Sequence, residues 1–232
     1  MIQWLAATVA ALLFCSTVQA EELAQFEPLR LNGEFVRWFP QADGTIHLRY
    51  AIADQEAITP EATNCRKMRA PSGIIANANI SPQRFSRMLR DAFDSWERVA
   101  GLHFVETSDP AHADILIGAQ SEPVGYAFTS VLPGDRVQDG FREIRKAAIC
   151  LNPERAWKDG RGGDPRVYDL SYTLTHEIGH VIGLDHPSRS GHLMSFRYSE
   201  DLPGLTEGDI AGANFVYGPA VTIERIRASL PR

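Results

Sequence analysis

The chain has 232 residues and a formal net charge of −6 at pH 7. This length is sufficient for one domain with a single hydrophobic core. The acidic balance makes nucleic acid an unfavourable partner, because binding to phosphates requires clustered positive charge.

Residues 1–20 are typical of an export signal. An apolar stretch from Leu5 to Phe14 is followed by residues that end at Ala20, which suits cleavage after that position. The segment has no Lys or Arg, which leaves an uncleaved anchor as an alternative, although its apolar part is shorter than the ~20 residues of a membrane span. We expect removal of the signal, a secreted or periplasmic location, and no stable membrane association afterwards.

A long amphipathic helix is predicted to begin at Ser81 and Pro82, since serine caps a helix and proline suits its first turn. Its apolar residues recur at helical spacing and are expected to pack on a sheet. They are Phe85, Met88, Leu89, Ala92, Phe93, Trp96 and Val99. Residues 102–106 and 115–117 are predicted to be strands of that sheet.

Two cysteines, Cys65 and Cys150, remain after removal of the signal, because Cys15 lies within it. Exported proteins fold in an oxidising compartment, where paired thiols are normally oxidised. We therefore expect a disulfide bond between Cys65 and Cys150.

Residues 176–186 read His-Glu-Ile-Gly-His-Val-Ile-Gly-Leu-Asp-His. On a helix, His176 and His180 project from one face and can reach the same ion. Gly183 can adopt the left-handed backbone that ends the helix, and the resulting turn brings His186 to the same point. The segment therefore predicts a metal site with three imidazole ligands.

Three neutral imidazoles suit one zinc ion and leave a fourth position open to water, which is typical of catalytic rather than structural zinc sites. Bound zinc lowers the pKa of its water to about 7, and a nearby carboxylate can accept the proton as that water attacks a carbonyl. Glu177 is the candidate general base. Met194 follows in a Gly-His-Leu-Met-Ser segment, where a methionine turn would lie beneath the metal. If the His-Glu-x-x-His pattern had arisen by chance, Gly183, His186 and Met194 would not be expected at these positions.

On these residues the chain resembles the metzincin zinc endopeptidases and, within them, the matrixins, or matrix metalloproteinases. The likeness covers residues 36–218 and keeps the order of the segments. The matching segments are Trp38 and residues 48–52 for the first strand, 113–117 for the third strand, 125–128 and 151–157 for later strand segments, and 205–210 with 216–218 for the C-terminal helix and its ending.

The resemblance implies an α+β metzincin fold. Such a fold has a twisted, mainly parallel mixed sheet, a long packing helix, an active-site helix, and a small C-terminal subdomain with the methionine turn and a final helix. Residues 38–218 would form the catalytic domain, and residues 219–232 would form a tail. The implied activity is zinc-dependent hydrolysis of peptide bonds in a peptide or protein substrate, by attack of a zinc-bound water with Glu177 as base.

The same resemblance implies a pocket for the substrate residue after the cut. Tyr198 matches the wall of that pocket, whereas Phe196 stands where matrixins typically have proline. The usual histidine set of a second, structural zinc is missing, so we expect none. Residues 53–80 and 132–146 are longer or more irregular than the family suggests, and we expect both to be surface loops.

The second of these stretches, residues 132–146, contains a possible calcium site. Its carboxylates are Asp135, Asp139 and Glu143, and they lie among three arginines and one lysine. The alternative is a mixed, solvated loop that binds no ion.

Residues 21–37 are predicted to be a short leader or pro-segment, too small for the usual matrixin prodomain. Either no latency is needed, or a carboxylate of this segment covers the zinc; the candidates are Glu22, Glu27 and Glu34. Cys65 is an alternative blocking group, although its surroundings lack the prodomain pattern of the family. An exported chain without a large prodomain is more typical of bacterial than of animal relatives.

Two alternatives to a general endopeptidase remain open. One is a processing protease of narrow specificity, which would share the same zinc ligands. The other is a non-catalytic zinc-binding module that retains the fold, against which the presence of Glu177 argues. The sequence indicates no oligomeric state.

Overall fold

The computed structural model describes residues 25–220. The predicted export signal and nearly all of the predicted tail lie outside the described residues, as does Glu22. None of the helices within residues 25–220 has the length and apolar character needed to cross a membrane.

The described residues form four α-helices, one short 3-10 helix and thirteen strands. The helices are α1 (Ser72–Asn77), α2 (Pro82–Glu97), α3 (Leu170–Val181) and α4 (Glu207–Tyr217), and the 3-10 helix is Pro110–His112. The strands are β1 (Glu27–Pro28), β2 (Arg30–Leu31), β3 (Glu34–Arg37), β4 (His47–Ile52), β5 (Ala57–Ile58), β6 (Lys67–Arg69), β7 (His103–Glu106), β8 (Ile115–Gln120), β9 (Ala127–Gln138), β10 (Phe141–Leu151), β11 (Trp157–Lys158), β12 (Tyr168–Asp169) and β13 (Leu184–Asp185).

A mixed sheet of nine described strands forms the centre of the fold. The pairs β3–β10, β10–β8, β8–β4 and β4–β7 are parallel. Strand β9 pairs antiparallel with β10 and with no other described strand, so its other side is open apart from the Asn64 side chain, which donates to the Thr129 carbonyl at 3.4 Å. The predicted α+β architecture with a mainly parallel mixed sheet is confirmed.

Helix α2 packs against this sheet as its sequence predicts. The Ser81 hydroxyl accepts a hydrogen bond from the Arg84 backbone N–H at 3.1 Å, and Pro82 occupies the first turn. Six of the seven predicted apolar positions are buried, and Val99, beyond the end of the helix, is partly buried. Trp96 donates from Nε1 to the Thr175 carbonyl at 2.8 Å, which fastens α2 to α3.

The predicted loop at residues 132–146 is wrong, because these residues belong to a β-hairpin of β9 and β10. Asp139 and Gly140 form its two-residue turn, and both have positive φ, +53° and +80°. Two-residue hairpin turns with positive φ at both positions favour Asp-Gly, so this dipeptide in the sequence could have predicted the turn. Register shifts between Arg142 and Ile144, and between Ile144 and Lys146, interrupt the alternation that would otherwise indicate a strand.

Residues 53–80 are also more regular than predicted, since they contain β5, β6 and α1. Strand β6 pairs with the end of β8, and this pairing joins residues 53–80 to the sheet. Its tip is held by the disulfide bond between Cys65 and Cys150, as expected from the sequence. Cys65 is therefore not available to block a metal ion.

Removing the disulfide should lower the stability of the chain markedly. The bond closes a loop with a sequence separation of 85, and its loss gives the unfolded chain more conformational freedom. We expect the Cys65→Ala/Cys150→Ala variant to lose about 2–5 kcal/mol of unfolding free energy. Denaturant unfolding with and without a reductant measures this, and the reductant should affect only the native chain. Equal stability of the two proteins without reductant would contradict the expectation.

Candidate active site

Helix α3 carries three of the four residues predicted to serve as zinc ligands or general base. Its first turn is capped by Asp169, whose Oδ1 accepts a hydrogen bond from the Tyr172 N–H at 2.6 Å. His176, Glu177 and His180 then lie along the helix, whose interior face is fully buried in the core.

The helix ends where the sequence predicts. Gly183 has φ +88°, in the left-handed region, and a Cβ at this position would lie 2.5 Å from the Val36 carbonyl oxygen. Both the backbone conformation and the close approach therefore require glycine. The chain turns into β13, and His186 follows directly.

The three histidines converge on one point. His186 Nε2 lies 3.1 Å from His176 Nε2 and 3.2 Å from His180 Nε2. Two nitrogens bound to one tetrahedral zinc ion at about 2.0–2.1 Å are separated by roughly 3.3 Å. The spacing of the imidazoles therefore fits a single zinc ion. Within residues 25–220 they form the only cluster of three or more His, Cys, Asp or Glu side chains close enough to share a metal.

The hydrogen bonds of the outer ring nitrogens support this assignment. His176 Nδ1 lies 2.7 Å from the Leu193 carbonyl oxygen, and His180 Nδ1 lies 2.8 Å from that of Leu184. A carbonyl only accepts, so both Nδ1 atoms carry the proton and both Nε2 lone pairs face the common point. Burial lowers the pKa of His176 and of His180 to about 4, which keeps both rings neutral near pH 7. A cation at this point would interact favourably with both lone pairs.

Glu177 is buried beside the histidines and is held by a residue of the open strand. Thr129 in β9 donates its hydroxyl to Glu177 Oε2 at 2.7 Å, and the same hydroxyl lies 3.0 Å from the Glu177 carbonyl oxygen. Oε1 has no hydrogen-bond partner among residues 25–220. Burial raises the pKa of Glu177, and His176 and Thr129 oppose that shift. One carboxylate oxygen is thus fixed while the other stays free for chemistry.

Replacing Thr129 should impair turnover more than substrate binding. Thr129→Val keeps the shape of the side chain but removes the donor to Glu177, whereas Thr129→Ser keeps the donor. A hydrogen bond to a charged group contributes about 1.5–3 kcal/mol, so we expect Thr129→Val to lower kcat roughly tenfold or more. KM should change little, and Thr129→Ser should retain most of the activity. Steady-state kinetics on one peptide tests this, and equal kcat values for the Val and Ser variants would contradict it.

Met194 packs closely on helix α3, where a Cβ at Gly179, one residue before His180, would lie 2.1 Å from its Sδ. It is 2% exposed, and the Met194 and Leu193 N–H groups both donate to the Asp209 carboxylate at 2.9 Å. Asp209 also accepts from the Thr206 N–H and hydroxyl, each at 2.7 Å, and so ties the turn to the start of α4. Because Leu193 offers its carbonyl to His176, this network helps to orient the first ligand.

A cavity of about 580 Å³ lies over these residues, bordered by α3 and the open side of β9. Phe196 and Tyr198, both predicted to border a substrate pocket, line it. Phe196 is 81% exposed and its ring meets His186 edge-on at 5.2 Å. Tyr198 accepts from the Asp169 N–H at 3.1 Å and donates to Glu200, which Lys158 also holds.

Three further tyrosines line the cavity and were not predicted. Tyr168 stacks between Tyr126 and Tyr198, at centroid distances of 4.0 and 4.4 Å, and Tyr172 meets Tyr198 edge-on at 4.8 Å. We refer to these four rings as the tyrosine stack. Tyr172 lies four residues before His176, so helical spacing alone could have identified it. The contacts of Tyr126 and Thr129 have no comparable signal in the sequence.

Three of the carboxylates proposed for latency or calcium binding form ion pairs. Glu34 pairs with Arg142 at 2.6 Å. Glu27 lies in β1, opposite Asp185. In the hairpin, Asp139 pairs with Arg37 and Glu143 pairs with Arg136.

The sequence matches the matrixin family model over residues 74–218, more than half of the chain. Metalloendoproteinase 1-MMP of Arabidopsis thaliana is 32% identical over 60% of this chain and 40% of its own length. Matrilysin of Mus musculus is 32% identical over 59% of this chain and 52% of its own length. Interstitial collagenase of Sus scrofa is 29% identical over 61% of this chain and 30% of its own length.

These matches span about half or less of each relative. The relatives come from a plant and from mammals, so the comparisons do not support the bacterial origin that the resemblance suggested. They agree with the fold and with the three-histidine site, and residues 74–218 contain all three histidines, Glu177 and Met194. This chain belongs to the matrixin family.

Proposed function

We propose that this chain is a zinc-dependent endopeptidase that acts outside the cytoplasm, in a secreted or periplasmic location. The convergence of three imidazole nitrogens beside a buried glutamate, at the base of an open cleft, supports this proposal most directly. The disulfide bond and the predicted export signal support the location.

The open side of β9 suits an extended peptide. A strand with unpaired backbone groups on one side can bind a peptide as an additional strand. Thr129 lies in this strand, directly beside Glu177, so a peptide paired with β9 would pass over the histidines. The tyrosine stack would form the pocket for the residue after the cut, with Tyr198 as its wall and Phe196 at its exposed rim.

His176, His180 and His186 would hold the ion through their Nε2 atoms. When bound, zinc would polarise the carbonyl of the scissile bond and make a water molecule acidic near pH 7. Glu177 would accept the proton of the attacking water at Oε1 while Thr129 fixes Oε2. The same carboxyl group would then deliver that proton to the leaving amine.

A chelation experiment tests the proposed function. The purified chain is incubated with a complex peptide mixture in three states. These are the untreated protein, the protein after a chelator has removed its metal, and the chelated protein after zinc has been returned. We expect cleavage within peptides, its loss on chelation, and its recovery with zinc. Absence of cleavage in all three conditions, although the protein binds zinc, would favour the non-catalytic zinc-binding module.

A further inference from the structure

Two segments outside the matrixin match reach the substrate cleft. Leu29 and Leu31 come from the N-terminal segment, and Thr63 and Asn64 come from the loop beside the Cys65–Cys150 disulfide. All four residues precede residue 74, where the family match begins. The outline of this cleft is therefore shaped in part by residues outside the family match.

The N-terminal segment lies at the opposite end of α3 from the tyrosine stack. Tyr172 is in the first turn of α3, whereas the Leu29 N–H donates to the Gly183 carbonyl, just past the last turn, at 2.8 Å. Helix α3 has twelve residues and spans about 18 Å. The cleft thus has an aromatic end at the tyrosine stack and a second end beside Leu29, with the histidines between them.

The second end is apolar. Leu29 and Leu31 both line the cavity. Arg30 between them lies over the ring of Phe35 at 3.7 Å and therefore points elsewhere. Val131 of β9 lines the same cavity. The Asp185 carboxylate also lines it, and one of its oxygens accepts the His186 N–H at 2.7 Å.

The direction of β9 indicates which end of the cleft would receive the substrate residues before the cut and which end would receive those after it. Tyr126 precedes β9 and stacks on Tyr168, Thr129 contacts Glu177, and Val131 follows. Antiparallel pairing is the commoner arrangement of neighbouring strands. A substrate paired in this way would place the residues after its cut toward Tyr126 and the residues before its cut toward Val131.

Given the proposed peptidase function, we propose that Leu29 and Leu31 determine substrate specificity, by forming an apolar wall that selects an apolar side chain among the residues before the scissile bond. Strands β1–β3 hold this wall in place. Strand β1 pairs with β13, and β3 pairs with β10. Phe26 is buried and packs on Phe215 of α4. Residues 25–37 are thus an integral part of the catalytic unit and of its substrate cleft.

Cleavage profiling of a peptide library tests this proposal. The wild type is compared with Leu31→Lys, with the milder Leu31→Ala in case the lysine variant folds poorly, and with Leu29→Ser. Ile58→Lys is the matched control, because Ile58 is an exposed aliphatic residue of β5 outside the cleft. Zinc content and thermal unfolding of each variant show whether the site and the fold remain intact.

We expect the wild type and Ile58→Lys to prefer apolar residues before the cut. In Leu31→Lys, kcat/KM for peptides with an apolar residue there should fall on the order of tenfold relative to peptides with an acidic residue. Preferences after the cut should remain. Unchanged profiles in folded, zinc-loaded variants, or changes confined to residues after the cut, would overturn the assignment but leave the peptidase function intact. Absence of cleavage by the wild type would refute both.

Discussion

Glu177→Gln should abolish most peptide hydrolysis while leaving the zinc site loaded. The glutamine has nearly the same shape and can still accept the Thr129 hydroxyl, but it cannot take a proton from water. General acid–base catalysis contributes about 10²- to 10⁴-fold, and we expect a fall in kcat of that size. Metal analysis and steady-state kinetics on the same preparation measure both quantities.

A matched control is Glu122→Gln. The Glu122 side chain is 79% exposed and pairs with Lys67 at the surface, so this variant should keep the wild-type kcat. An active Glu177→Gln variant with full zinc content would show that another group accepts the proton. Loss of zinc from Glu177→Gln would instead show that the carboxylate maintains the metal site.

Gly179→Ala should destabilise the chain by crowding the Met194 side chain. A Cβ at position 179 would lie 2.1 Å from Met194 Sδ, 2.8 Å from Met194 Cε and 3.0 Å from Trp96 Cζ2. Alanine favours a helix over glycine by ~1 kcal/mol, but crowding of a packed core costs about 1–3 kcal/mol or more. We expect a net loss of about 1–3 kcal/mol in unfolding free energy and weaker zinc binding, because Met194 must move away from the helix that carries His176 and His180.

Gly204→Ala is the control for this change, since a Cβ at position 204 would meet no atom within 4 Å. Denaturant unfolding and zinc titration of both variants distinguish crowding from a general effect of the added methyl. If the added Cβ at position 179 clashes with the Met194 side chain, Met194→Ala should cost less stability in the Gly179→Ala background than in the wild type. Wild-type stability and affinity in Gly179→Ala would contradict the packing described for the methionine turn.

The cluster of three histidines beside Glu177 could be predicted from the sequence because it depends on local spacing. Residues four apart on a helix share a face, and a glycine that ends the helix has a recognisable position. Helix α2 was predictable for the same reason, as its apolar positions repeat over four turns. These features need no knowledge of how distant segments meet.

Other parts of the site depend on contacts between distant segments. Thr129 and Glu177 are 48 positions apart, and Tyr126 and Tyr168 meet only because β9 and β12 flank the same helix. The long hairpin was missed because its bulges disturb the strand period. Residues 25–37 resemble a leader by length, yet their strands pair with β10 and β13.

We expect His176, His180 and His186 to hold one zinc ion together. Elemental analysis of the purified wild type and of three single His→Ala variants, combined with zinc titration, tests this expectation. We predict one zinc ion per wild-type chain and a large loss of affinity in each of the three variants. A folded wild type without bound transition metal, or any one variant with wild-type zinc affinity, would show that the three histidines do not form a zinc site.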